Sequence, residues 1–233
     1  VSISSGVGTE STSGDLVMLT ANAGTAGLTG MVILSSGDAS SGNSGGLYIG
    51  SGLGASGRAG HVYVTAGSGN SGTGGEIVVK AGTSTFAKGT GGKVTISSGV
   101  GTDSSGTLLL QTANAGTAGV SGFVILSTGD SSSGNSGGIY IGSGAGVKGR
   151  AGHVYVRAGT GNSGSGGELV LQGGITSFGA SGGSVSLVSG SNSAGHSSGA
   201  LLMSTADGGA TGVSGIIALS TGTSGSGNTG AIY

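Results

Sequence analysis

His61 to Gly75 reads H-V-Y-V-T-A-G-S-G-N-S-G-T-G-G, and His153 to Gly167, 92 positions further on, reads H-V-Y-V-R-A-G-T-G-N-S-G-S-G-G. In the first half of the line Val62 and Val64 alternate with His61, Tyr63 and Thr65, the period-two pattern of a strand with one packed face. The second half is Gly, Ser, Thr and Asn and carries no bulk. Weaker copies fill the chain at a spacing of about 14 to 17 residues. Their apolar cores run through Val1–Ile3, Leu16–Met18, Val32–Leu34, Leu47–Ile49, Ile77–Val79 and Val94–Ile96, then from Leu108–Leu110 on to Ile217–Leu219, with Ile232 opening one more.

The units group into a longer cycle. Residues 1–92 form a first set of six, 93–183 a second, and 184–233 the opening of a third; between 15–75 and 107–167 roughly three quarters of positions agree. No domain boundary is evident, so the expectation is one continuous array, and the closing Ala231-Ile232-Tyr233 reads as the start of a further unit.

Composition narrows the class. Gly supplies 60 of 233 residues, Pro and Cys none, and 6% of the chain is charged, against about a quarter in ordinary domains. Linkers are also Gly/Ser-rich, but they lack a recurring apolar alternation. A sheet ladder needs every backbone donor, which fits the missing proline. Collagen is excluded, because Gly does not fall at every third position. A net charge of -1 leaves no electrostatic footprint for nucleic acid. No apolar run is long enough for a helical membrane span.

Glycine marks two corners per unit. One closes each unit, as at Thr29-Gly30, Ser44-Gly45, Ala59-Gly60 and Thr73-Gly74; the other follows each strand, as at Gly6, Gly37, Gly52, Gly67 and Gly82. The pattern predicts an all-β fold, a β-solenoid with about 15 residues per coil and a six-coil supercycle. Two closures are open: one unit per coil, or two units per coil with apolar strands facing each other. A five-residue strand spans about 16 Å and the return segment about as much, which favours one unit per coil. So does charge, since that stacking makes His61, Glu76 and Lys93 a ladder of alternating sign.

On this reading the middle column of the strands faces outward: Val17, Ile33, Tyr48, Tyr63, Val78, Leu109, Ile125, Tyr140, Tyr155, Val170 and Leu202. Such a stripe is too apolar to be left in water, and packing against another copy is its natural cover.

Motifs for chemistry fail on context. Gly67–Gly72 and Gly159–Gly164 both spell G-x-G-x-x-G, but another strand follows where a dinucleotide site needs a helix. Gly195–Gly199 spells G-x-S-x-G without the strand-turn-helix setting of a nucleophile elbow. His61 and His153 stand too far apart in the array to share a metal, and Asp38 and Asp130 read as turn residues. No catalytic residue, metal site or cofactor is expected. No Asn precedes x-Ser/Thr, so N-glycosylation is not indicated.

The run S-S-G-N-S-G-G-L-Y-I-G-S-G at 40–52 and its relatives resemble the Ser/Gly-rich β-solenoid repeats of long surface and matrix proteins in microbes and algae. The resemblance implies an extracellular or cell-surface structural role, with the chain itself as partner in a filament, sheath or adhesive fibre. The alternative is a binding module that offers a regular Ser/Thr/Asn face to ice, glycan or mineral. Each coil buries about two aliphatic side chains, at about 1.5 to 3 kcal/mol each, while ordering the backbone costs about 1 to 2 kcal/mol per residue. One coil alone should therefore not fold, and stability must come from stacking.

Overall fold

The structure, a computed structural model, describes residues 1–9 and 12–233. Among them there is no helix and no strand, so the expected β-solenoid is not formed, with either one or two units per coil. The chain divides into two units, Val1–Gln111 and Thr112–Tyr233. Neither has a core: no described residue, apolar or polar, is buried. The chain exposes 22790 Å², where a compact chain of this mass exposes about 9,000 Å² and an unfolded one about 31,000 Å². Val62 and Val64, expected to point inward, are 52% and 71% exposed.

The unit that does form is a closed loop. In the first unit of the chain the backbone N–H of Gly75 donates to the carbonyl of Gly67 at 3.0 Å, Gly92 to Gly82 at 2.9 Å and Gly106 to Gly99 at 2.9 Å. The second unit repeats the device at Gly167 and Gly159, Gly183 and Gly174, and Gly199 and Gly190. Elsewhere a hydroxyl replaces the amide. Thr20 Oγ1 donates to the Gly30 carbonyl at 3.2 Å and Ser51 Oγ to that of Gly60 at 2.9 Å. Thr112, Thr128 and Ser143 do the same to Gly122, Gly137 and Gly152.

These necks explain why no coil closes. The paired glycines are the two corners of one unit, which a solenoid must hold a strand length apart, about 16 Å. A hydrogen bond instead brings them to within about 5.5 Å of each other. The residues between become a side loop, and none is left to run back and cover the valines. Each backbone-bonded neck is a single rung, with no second rung after it.

Close approach at the neck is what glycine permits. A Cβ added to Gly75 would stand 3.1 Å from the Ala66 Cβ, and one on Gly60 the same distance from the Ser51 Cβ. Most of the partly buried residues, Ser5, Thr20, Ala81, Ala158, Gly173 and Ser189, are neck residues. What little packing the chain has is small residue against glycine.

Candidate functional site

Between the necks lie the apolar segments, and their local geometry is extended. His61 and Tyr63 stand on the same side of the chain, ring centroids 5.7 Å apart and planes inclined by 49°. Residues two apart share a side only where the backbone is strand-like. His153 and Tyr155 repeat the arrangement at 5.7 Å and 47°. Tyr48 folds its ring over Gly46 in the same sense: a Cβ on Gly46 would lie 3.2 Å from Tyr48 Cε2. Tyr140 does so over Gly138, at 3.3 Å. Each of these tyrosines leans toward the residue two places before it.

The residues read as an assembly face are all exposed. Val17, Ile33, Val78, Leu109, Ile125, Val170 and Leu202 stand in solvent like their neighbours, and Tyr48 and Tyr140 are the extreme cases at 96% and 97%. Among the described residues no sheet brings them into one column. The same holds for His61, Glu76 and Lys93, which sit on successive segments without the ladder that was to stack them. His61 has Tyr63 as its neighbour instead. An open hollow of about 460 Å³ lies beside Tyr155, Val156 and Arg157.

The motif-like stretches resolve into loops. Gly67–Gly72 lies within the necked loop that Gly75 closes. In Gly195–Gly199 the Asn192 side-chain oxygen accepts from the backbone N–H of Ala194 at 2.7 Å and of His196 at 3.2 Å. That bonding makes an Asx turn, and Gly195 takes a left-handed φ of 83° within it. Among the described residues no group of three or more His, Cys, Asp or Glu comes together, and no helix is long and apolar enough to cross a membrane.

No family model, no curated protein and no solved structure matches the chain. Its chemistry must be read from its own surface. That surface has two parts, extended apolar segments open to solvent and polar side loops pinched at their bases.

The hydroxyls of Thr20, Ser51, Thr112, Thr128 and Ser143 were not singled out by sequence reasoning. Their signal was present. Each stands two places after an apolar segment, at the period of the repeat; in the units closed by backbone bonds the same place is held by Ala66, Ala81 and Ala158, by Ser98 and Ser189, and by Gly173.

Proposed function

We propose that this chain is a non-enzymatic structural protein whose copies associate, outside the cell or at its surface, to build a filament, sheath or adhesive fibre. The observation that carries the reading is the exposed apolar surface: segments such as Leu47–Ile49 and Val62–Val64 stand in solvent and no described residue is buried. Soluble monomers seldom leave large contiguous apolar patches uncovered. The extended segments also leave backbone donors and acceptors unpaired, a template for another chain.

Magnitudes explain the repetition. Burying one aliphatic side chain contributes about 1.5 to 3 kcal/mol, and association costs about 4 to 15 kcal/mol in lost freedom. One Val-Tyr-Val segment reaches only the lower end of that cost. Several segments on one chain exceed it, since after the first contact the others meet at high effective concentration. A net charge of -1 offers little repulsion between copies. The support for an extracellular setting is the compositional likeness to Ser/Gly-rich surface and matrix repeats.

The binding-module alternative, for ice, glycan or mineral, needs a flat face of free hydroxyls. Here several repeating hydroxyls are turned onto neck carbonyls, as at Ser51 and Ser143, and among the described residues there is no sheet to flatten the rest. Self-association is therefore favoured. Sedimentation velocity and negative-stain microscopy over a series from micromolar to millimolar chain test it. Large or fibrous species should grow with concentration, and monomers throughout the series would reject the reading.

A further inference from the structure

The chain holds five tyrosines, no tryptophan and no cysteine. Four of the tyrosines stand in the middle of an apolar segment, Tyr48 and Tyr63 in the unit Val1–Gln111, Tyr140 and Tyr155 in the unit Thr112–Tyr233. They are 96%, 81%, 97% and 86% exposed in that order. A tyrosine ordinarily sinks its ring among apolar neighbours and keeps only the hydroxyl wet; here the ring is in water too. The two ring carbons beside the phenol oxygen, Cε1 and Cε2, are where a phenoxyl radical makes new bonds. Tyr48 Cε2 leans over Gly46, 3.2 Å from where a Cβ would stand, and Tyr140 Cε2 over Gly138 at 3.3 Å, so a glycine leaves open the carbon that a side chain would cover. Tyr63 and Tyr155 have a histidine ring at 5.7 Å as aromatic neighbour, not a second phenol to couple with in place.

We propose that Tyr48, Tyr63, Tyr140 and Tyr155 are sites of oxidative cross-linking, through which copies of this chain are joined covalently by a peroxidase that uses hydrogen peroxide. Each phenol gives up one electron and its hydroxyl proton. Two phenoxyl radicals join Cε to Cε, and the hydrogens on the joined carbons shift to the oxygens, restoring two phenols. The two electrons and two protons released reduce one hydrogen peroxide to two waters. The side-chain inventory narrows covalent joining to this route. Without cysteine there are no disulfides between copies, and without cysteine or tryptophan a tyrosyl radical has no more easily oxidised side chain to pass to. The exposed Met18, Met31 and Met203 take up oxygen as sulfoxide, which links nothing. With one bond per phenol, a chain with a single reactive tyrosine only dimerises, one with two extends a line, and one with four builds a network. The proposal goes beyond the self-association above and does not rest on it, because it needs only that the phenols be reachable. Association speeds the step by holding phenols at high effective concentration.

The test treats the full chain with a haem peroxidase and hydrogen peroxide. Products are read on a denaturing gel, by dityrosine fluorescence and by mass spectrometry of linked peptides. The parent should give SDS-resistant species too large to enter the gel, with all four tyrosines recovered in linked peptides. Tyr63→Phe/Tyr140→Phe/Tyr155→Phe/Tyr233→Phe keeps every ring and leaves Tyr48 as the sole phenol; it should stop at covalent dimers. Adding Tyr48→Phe should abolish both the fluorescence and the dimers. Fluorescence from a parent that still runs as a monomer would place the links within one chain and overturn the proposal, as would large species that persist in the variant without tyrosine. Sedimentation before oxidant is added reads self-association separately. Copies that associate but do not couple reject cross-linking alone, and copies that couple but are monomeric beforehand reject self-association alone.

Discussion

Ser51 and Ser143 each spend a hydroxyl on a carbonyl nine residues away, at a solvent-exposed neck. A bond of this kind contributes about 0.5 to 1.5 kcal/mol net, so it shifts the loop between closed and open by a factor of about 2 to 12. Ser51→Ala should open its neck by that factor, seen as loss of the nuclear Overhauser contact between residue 51 and Gly60. Ser51→Thr should keep the contact, because Thr20, Thr112 and Thr128 already serve the same role. Gly75→Ala acts through sterics instead. Its Cβ would meet Ala66 at 3.1 Å and the Gly67 carbonyl oxygen at 3.2 Å, whereas a Cβ on Gly69 of the same loop meets nothing nearer than 3.5 Å. Gly75→Ala should abolish the contact between residues 66 and 75 and Gly69→Ala should leave it. Retention of the contact in Gly75→Ala would mean that the neck is not the close approach described. Among the described residues Lys88 carries the one positive φ outside glycine, 70°, while the matching loop of the second unit puts Gly179 at 44°. A left-handed non-glycine residue costs about 1 to 2 kcal/mol. Lys88→Gly should therefore stabilise the 82–92 loop by about that amount and make the Gly89 amide, which donates to the Phe86 carbonyl, exchange more slowly.

The element of this protein is a loop on a neck, and loop length is its soft parameter. Necks close from Gly99 to Gly106, from Gly67 to Gly75 and from Gly82 to Gly92, so the same junction tolerates different numbers of residues between. The closure entropy of one more residue in a loop this size is about 0.1 kcal/mol. A glycine inserted between Gly69 and Asn70 should leave the Gly67–Gly75 bond and the adjacent segments unchanged in amide shifts. The same insertion between Val62 and Tyr63 should break the His61–Tyr63 contact, because it moves the tyrosine to the opposite side of an extended chain. Shifts that spread to neighbouring necks after the loop insertion would show that the units are coupled. This division tells what was legible in the sequence. Alternation around Tyr63 foretold His61 and Tyr63 on one side of the chain, but the recurring Gly corners did not foretell the bends, which fall midway between them, as at Asn70–Gly72 between Gly67 and Gly75. Whether two corners stand apart or touch was not written in either pattern, since Gly67 and Gly75 can serve a coil or a neck with the same residue types. The neck hydroxyls were visible as Ser and Thr at a fixed place in the period, but their role follows only once the corners are known to meet.

For the chain as a whole, independence of the necks sets the thermodynamics. Cooperative unfolding needs a shared core, and among the described residues there is none. A compact domain of this length would gain about 3 kcal/mol/K in heat capacity on unfolding, from apolar surface newly exposed. Here that surface is exposed already. Calorimetry of the dilute chain should give no cooperative peak and a far smaller heat-capacity step, and urea titration a shallow, sloping signal in place of a sigmoid. Concentrating the protein should change this, because segments that bury one another between copies create the missing apolar interior. A heat-absorption peak should then appear with a midpoint that climbs as chain concentration rises, by mass action, and it should move up further in sulfate, which strengthens apolar burial. Sodium chloride should move it little, since 7 basic and 8 acidic residues leave almost no charge to screen. A sharp transition in dilute monomers, at a temperature indifferent to concentration, would place the interior within a single chain and remove the physical reason for copies to associate.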